Sequence, residues 1–524
     1  MFSFVVGNAF HPCDPERLVR LWFAQKNNKP RRTVSSMRYL SRQLPALVGA
    51  LFLADVAQAQ LAQNLLIGNA KALSLGNAVT ADPPGIDSIH YNPAGLTRLK
   101  GKQRMIKLIT ADVSIEGEFN SNPTYDCLFD ETCMQATYHV PAIQEQDPAR
   151  NSKSTVDKFA LYVPGAGVTG LPFIAAPLGG ASYSPPEGNL TFGTNVYAPL
   201  ILGFIRSDDD PGRFYGRELG LSRITYFSPT VGWKYSDTLQ FGFGFGFSYF
   251  GAGLTLDYRA ANILVGGLSS LFQDSNNDSS DFIRNAFKEG KISPFDSVFT
   301  LEADLNKAIS PTVNFGILWE PANWLTLGLV YQSEAADRLT GDISVNLNPD
   351  VVSFIGNIPG ALNLLDLKNN KGQIRSTGYL DVTIPQHLAI GASVQLTPKW
   401  KANIDWKWTQ TSAWKDFAFY FDENLPVLQA LQIAGIDGVQ PNALIIPRGY
   451  EDASNFAYGI EYQYNDHLAL RAGYEPRKSG IPKDKLYFLI PLGDFNLYGL
   501  GASWQMSKTE TLDIAFGYLK SDQK

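Results

Sequence analysis

Six short polar turns, each held between two segments of alternating apolar and small or polar residues, constrain this chain more than any other feature. They are Ser184-Pro185-Pro186-Glu187-Gly188-Asn189, Tyr235-Ser236-Asp237-Thr238, Glu320-Pro321-Ala322-Asn323, Thr397-Pro398-Lys399, Tyr464-Asn465-Asp466-His467 and Met506-Ser507-Lys508-Thr509-Glu510. Between one tight turn and the next the chain runs through a long irregular segment. Tight turns at one end of a strand array and long loops at the other are the pattern of a bacterial outer-membrane β-barrel.

The flanking segments alternate with period two, so their side chains divide between two faces. After Leu239 one face carries Phe241, Phe243, Phe245, Phe247 and Tyr249, and the other Gly242, Gly244, Gly246 and Ser248. Ile404, Trp406 and Trp408 alternate with Asn403, Asp405 and Lys407, and Tyr458, Ile460 and Tyr462 with Ala457, Gly459 and Glu461. Leu470, Ala472 and Tyr474 alternate with Arg471, Gly473 and Glu475, and Ile514, Phe516 and Tyr518 extend an apolar face from Leu512. Thirteen strands are readable: 103–119, 173–184, 190–204, 222–235, 239–258, 299–319, 324–345, 376–396, 400–420, 453–464, 467–476, 496–506 and 511–520.

Alternation alone also fits a secreted sandwich or a propeller. Three observations favour lipid as the solvent of one face. The second face is small or charged, not merely surface-polar. Aromatics gather near strand ends, at Trp233, Tyr235, Trp319, Trp324, Trp400, Tyr464 and Trp504, as in interfacial girdles. Charged residues make up 18% of the chain, below the roughly 25% of a soluble domain. No run of about 18 apolar residues follows residue 60, so a transmembrane helix is excluded there. The expected fold is all-β, a transmembrane antiparallel barrel over 103–524 with long extracellular loops.

The start of the chain reads as an export signal over 37–59. Arg38 and Arg42 precede the apolar run Leu44–Leu53, and Ala57-Gln58-Ala59 is a small-residue cleavage site. Residues 1–36 then read as an upstream extension or a misassigned start. Residues 1–59 hold eight Lys/Arg against three Asp/Glu, so their removal takes the net charge from −6 to −11. An acidic chain is a poor ligand for nucleic acid, and none is expected as a partner.

No catalytic constellation is visible. Gly165-Ala166-Gly167-Val168-Thr169-Gly170 matches G-x-G-x-x-G, but that motif needs a helix to begin there, and Leu171-Pro172 leads into a strand instead. There is no G-x-S-x-G elbow, and His11, His90, His139, His387 and His467 are scattered. No cofactor or metal is expected. Cys127 and Cys133 form a close pair in an exported chain, read as a small loop disulfide; metal binding is the weaker reading, because no His or second Cys pair accompanies them.

Two of the long loops are apolar. Asn262–Gly290 contains Ile263, Leu264, Leu268, Leu271 and Phe272, and Asp350–Asn370 contains Phe354, Ile355, Leu362 and Leu365. Such loops pack on each other or bind something apolar. Before the first strand, residues 60–102 combine turn formers with Leu65, Leu66, Ile67, Leu73 and Leu75. A segment like this can fill a barrel lumen as a plug.

Within that segment, Gly76-Asn77-Ala78 followed by His90-Tyr91-Asn92-Pro93-Ala94-Gly95-Leu96 resembles the N-terminal hatch of the FadL family, outer-membrane transporters of long-chain fatty acids and hydrocarbons. Ser228-Pro229-Thr230-Val231-Gly232-Trp233-Lys234, Tyr331-Gln332-Ser333-Glu334 and Leu470-Arg471-Ala472-Gly473-Tyr474 extend the resemblance over most of the chain. It implies a fourteen-stranded barrel in a Gram-negative outer membrane, plugged by its hatch and working by passive diffusion. It implies an apolar groove between the third and fourth extracellular loops, where Asn262–Gly290 and Asp350–Asn370 fall, an internal pocket, and a lateral exit at a kink in the third strand. Pro199 in Val196-Tyr197-Ala198-Pro199-Leu200 is the candidate for that gap, since proline inside a sheet marks a bulge or broken pairing; a loop beginning early is the alternative. Inward Arg471 and Lys407 either meet a substrate carboxylate or belong to a lumen charge network with Glu475, Glu461 and Asp405. The implied partners are long-chain fatty acids or other hydrophobic small molecules, the surrounding lipid and lipopolysaccharide, and the barrel-assembly machinery, with the protein a monomer. Alkane or aromatic-hydrocarbon uptake, a polar porin and a loop-based receptor or adhesin are the rivals.

The turns also give a parity test. With a periplasmic hatch, odd strands run outward, and the thirteenth runs outward and ends near Lys524. Single-chain bacterial barrels have an even strand count. Either a strand is miscounted or the chain lacks a seventh loop and a fourteenth strand; in the second case strands one and thirteen are expected not to close normally, with the closing strand encoded downstream.

Overall fold

The computed structural model describes residues 5–6, 67–111, 114–119, 149, 152–156, 158–171, 174–259, 297–356, 372–433, 438–483, 489 and 493–523. The wall is an antiparallel β-barrel built from successive hairpins. Its first strand is Gly101–Ala111 and its second Ile174–Ser184. The third is split into Leu190–Asn195 and Tyr197–Ile205, and the fourth into Glu218–Phe227 and Thr230–Lys234. Leu239–Tyr258 and Phe299–Ala322 are the long fifth and sixth strands. The seventh, eighth and ninth are each interrupted once: Leu325–Gln332 with Ala335–Leu347, Gln373–Ile384 with His387–Gln395, and Trp400–Thr409 with Asp416–Phe421. The tenth is split into Ala443–Pro447 and Ala453–Asn465, and Leu468–Arg477, Phe495–Gln505 and Thr511–Lys520 follow it. All six tight turns join consecutive strands at one end, as the sequence predicts.

The two faces fall as the alternation predicts. Phe243, Phe245, Tyr458, Ile460, Ile514 and Phe516 are exposed on the outer face. Gly242, Gly459 and Gly473 face the lumen, where they touch residues 67–99. The first strand pairs only with the second, and the thirteenth only with the twelfth, among the described residues. Ile106 is accordingly 90% exposed, more than any other large apolar residue of the wall.

Three expectations need correction. The first strand stops at Ala111; Glu116–Phe119 pairs instead with Ser152–Thr155 in a separate ladder. The sixth strand runs on to Ala322, and the seventh, eighth and ninth are interrupted at Ser333-Glu334, Pro385-Gln386 and 410–415. A hairpin unread in the sequence, Lys158–Val163 with Gly167–Leu171, stands on the loop side. Its turn is the G-x-G segment, with Gly165 and Gly167 at φ of 75° and 68°, so no helix begins there.

The lumen holds two cores. At the turn end, Ile67, Ala72, Leu75, Val79, Ile86, Ile89 and Leu96 of the hatch pack together and against Tyr197. At the loop end the lining is apolar, with Leu254, Leu301, Leu305, Leu339, Ile343 and Val345 meeting Trp414, Leu425 and Leu428.

Candidate functional site

The hatch is a chain of short helical turns, Ala70–Ser74, Gly85–Asp87, Ser88–Tyr91 and Pro93–Arg98. Asn92 organises the last of these. Its Oδ1 accepts from the Ala94 amide at 3.2 Å, and Pro93 opens the turn with no N–H to satisfy. Its Nδ2 donates to Thr80 O at 2.8 Å and to Ile317 O at 3.1 Å on the sixth strand. The hatch motif thus ties hatch to wall. The wall makes room with glycine: a Cβ on Gly242 would lie 2.1 Å from the Ala94 nitrogen, and one on Gly316 2.0 Å from Asn92 Oδ1. Gly95 itself packs where a Cβ would meet Pro83 Cγ at 2.4 Å.

Ion pairs fix the rest. Near the turn end, Asp82 Oδ1 lies 2.8 Å from Lys71 Nζ, and Oδ2 lies 2.6 Å from Lys401 Nζ. Burial pushes the Asp82 carboxyl up, but Lys71 and Lys401 outweigh it and hold it well below the usual carboxylate range. Lys401 continues to Glu461 at 2.9 Å, which takes Arg471 at 2.6 Å, and Arg471 reaches Asp513 at 3.0 Å. Deeper in, fully buried Glu475 receives Lys407 at 2.9 Å and Arg477 at 3.2 Å. Asn77 and Asn455 also donate to it, at 3.0 and 2.9 Å. Asp405 accepts the Thr80 amide at 2.8 Å. Arg471, Lys407 and Glu475 therefore sit in two carboxylate networks, each with a hatch residue as a member.

Higher in the lumen lies a narrow cavity bordered by His90, Tyr197, Pro199, Arg223, Gln332 and Trp414. The His90 ring contacts those of Tyr91 and Tyr197, with centroids 5.3 and 5.0 Å away. Burial, with the nearby charges of His387, Lys107 and Arg223, pushes its imidazole down to about 3, so it is neutral at physiological pH. Buried Arg223 donates to Ser310 Oγ at 3.0 Å, and Ser310 donates on to Asp337.

The third strand breaks beside this cavity. Its lower piece pairs with the second strand from Tyr183↔Phe192 to Gly180↔Asn195. The last link is the Val196 amide donating to Gly179 O at 2.9 Å. Beyond it no ladder joins the second strand to Tyr197–Ile205 among the described residues; that piece pairs with the fourth strand and with Lys158 and Phe159. Tyr197 pairs Thr225 while Leu200 pairs Arg223, so three steps on one strand match two on the other. The extra residue falls at Ala198-Pro199, where the missing proline N–H costs no ladder bond. Asn195, at the end of the lower piece, donates to the buried hatch carboxylate Asp87, which Lys107 meets at 2.7 Å.

Several sequence candidates lie outside the described residues: Cys127, Cys133, Ile263, Leu264, Leu268, Leu271, Phe272, Leu362 and Leu365. Phe354 and Ile355 belong by backbone to the helix Pro349–Gly356, but their side chains lie outside the description. Asp82, Lys401, Asp87, Arg223 and Arg477 carry no signal in the sequence beyond inward placement on an alternating strand or presence in the hatch.

The model of the family "Outer membrane protein transport protein (OMPP1/FadL/TodX)" matches residues 50–524. The long-chain fatty acid transport protein of Escherichia coli O6:H1 is 24% identical over 206 residues, 39% of this chain and 41% of that relative, so the match spans about two fifths of its length. Among solved structures, a Pseudomonas aeruginosa FadL homologue aligns at TM-score 0.60 and 16% identity, over 86% of this chain and 89% of its own. The Ralstonia pickettii toluene transporter TbuX aligns at 0.53 and 15%, over 87% and 93%. At these identities the structures show the fold alone, the hatch-plugged barrel just described. With nine-tenths of its length matched, the chain belongs to the OMPP1/FadL/TodX family of outer membrane transport proteins.

Proposed function

We propose that this chain takes up long-chain fatty acids by passive diffusion and releases them sideways through the wall. The observation that carries the reading is the separation of the second and third strands above Gly179 and Val196, beside a cavity and above a lumen closed by the hatch. A plugged lumen offers no straight path, and a broken ladder beside the cavity offers a lateral one. The apolar loop-end lining suits an alkyl chain, which gains about 0.8 kcal/mol per buried methylene. Arg223 supplies a cation at the cavity for a carboxylate. The apolar loops around Phe354 and Leu365 are the proposed first groove, and the Pro199 bulge keeps the upper third strand from rejoining the second. Transport, not catalysis, is the proposed activity.

Continuing the register of the lower ladder would set Leu178 opposite Tyr197. A Leu178→Cys/Tyr197→Cys pair, oxidised, is expected to lower radiolabelled oleate uptake at least tenfold, with recovery on reduction. Undiminished uptake by the cross-linked protein sinks the lateral route. The similarity to the toluene transporter TbuX favours a second reading, an aromatic hydrocarbon on the same path. Growth of a knockout on oleate or on toluene as sole carbon source separates the two. Rapid sugar flux in liposome swelling would instead support a polar porin.

A further inference from the structure

The outer face of the first five strands is uneven just below the break. Tyr183, Phe192, Phe243 and Phe245 stand out as exposed walls, while Ala181 and Thr194 between them are small. The result is a trough of about 750 Å³ open to the surroundings. That it lies outside the barrel follows from Gly193, next to Phe192, whose Cβ would point at Ile89 and Leu96 of the hatch.

The trough is charged at one end only. Lys102 and Arg104 border it at the turn end, on the outward register of the first strand, since the intervening alternation places Lys107 inward on Asp87. Both cations are exposed, and no carboxylate pairs with either among the described residues. By contrast, the lumen-facing Lys107, Lys401, Lys407 and Arg471 are each matched to a carboxylate. Two unmatched cations at the periplasmic margin, continuous with an aromatic-walled trough, complement a molecule with a flexible apolar body and an anionic head. A lipid of the membrane's inner leaflet has that shape and that orientation, with its head at the turn end and its tail towards the midplane.

We propose that the trough is a specific site for one phospholipid of net negative head group, with an acyl chain along Ala181 and Thr194 and its phosphate at Lys102 and Arg104. The site is separate from the transport route and does not depend on which substrate is carried. A resident lipid there covers the outer surface immediately below the separated strands.

The test uses the full-length protein, delipidated in detergent and titrated with dioleoylphosphatidylglycerol or dioleoylphosphatidylcholine, with bound lipid read by native mass spectrometry. Phosphatidylglycerol is expected to be retained over phosphatidylcholine. Lys102→Gln and Arg104→Gln are each expected to reduce its retention about fivefold, the effect of losing one basic residue at a membrane surface. Ala181→Trp, an outward substitution that fills the trough, is expected to abolish it, and Leu470→Ala on the far wall to leave it unchanged. Equal retention of the two lipids, or phosphatidylglycerol retention unmoved by either Gln substitution or by Ala181→Trp, overturns the proposal. So does oleate displacing phosphatidylglycerol at equal concentration, which would make the trough a station on the substrate's exit.

Discussion

The turn-end and loop-end halves of one lumen are lined on opposite principles. In the turn-end half the inward positions are glycines and charges: Gly242, Gly316 and Gly473 admit the hatch backbone, and Glu475, Lys407, Lys401 and Glu461 hold it. In the loop-end half they are Leu254, Leu301, Leu305, Leu339 and Val345. The change occurs around the Arg223, Ser310 and Asp337 group, level with the break in the third strand. A buried charge network is costly to disturb, whereas an apolar lining has no preferred partner. The first half is therefore built as a fixed closure and the second as a surface that an apolar guest can occupy. On the proposed route, a guest moving down the apolar half would meet the closure at the level where the second and third strands separate.

The largest expected effect is in the closure. Glu475→Gln leaves Lys407 and Arg477 facing each other without their carboxylate and is expected to cost about 3–5 kcal/mol, read as a lowered urea midpoint in lipid vesicles. An unchanged midpoint would show that the network is not what holds the turn-end half. In the apolar half, Leu305→Ala is expected to cost about 3 kcal/mol without altering how the hatch is seated. If hatch amide exchange rises as much in Leu305→Ala as in Glu475→Gln, the two halves are one unit and the contrast fails.

Gly242→Val is smaller in energy, about 1–3 kcal/mol of overpacking, but it strikes the seat of Asn92-Pro93-Ala94-Gly95. Lifting that motif is expected to open the lumen, raising vancomycin sensitivity of expressing cells, and a Val at a position outward on the same strand, Phe243→Val, is the matched control. Equal sensitivity of the two variants would detach the motif from closure.

The smallest effect is acid loosening of the hatch. The folded His90 has its proton affinity depressed to about 3, against about 6.5 for an exposed histidine. Between those values the unfolded or displaced hatch binds the extra proton, so the stability contributed by neutral His90 is full above about 6.5 and is lost as pH falls towards 3. Asp82, also depressed, keeps its charge over most of that window. Hydrogen exchange in residues 67–99 is expected to quicken from pH 7.5 to 4.5, and His90→Phe to flatten the profile. A profile that His90→Phe leaves as steep assigns the loosening to another group.

The strand array was legible because period-two alternation and turn chemistry are both local. Phe243 outward and Gly242 inward can be read from five residues, and so could the outward Ile460 and inward Glu461. The charge network was legible only as an inward set. Arg471, Lys407 and Glu475 face the lumen as expected, but Glu475 meets Asn77 across 398 positions and Asp405 meets Thr80 across 325, and no sequence period carries such distances. Pro199 lies at a bulge towards the fourth strand, yet the separation from the second strand begins at Val196, because a bulge towards one neighbour and a break from the other are set by pairing on both sides. The hairpin around Gly165 went unread although Lys158–Val163 and Gly167–Leu171 flank a glycine turn, a signal that can specify a hairpin.

By itself, then, the sequence determined the solvent of each face, the direction of the wall strands and the presence of a plug, since each follows from the order of neighbouring side chains. Only the tertiary structure decided where the plug is anchored, which charges neutralise which, and where the wall comes apart. Those depend on groups hundreds of residues distant being brought within hydrogen-bonding reach, and at that range a pairing exists only once the barrel has formed.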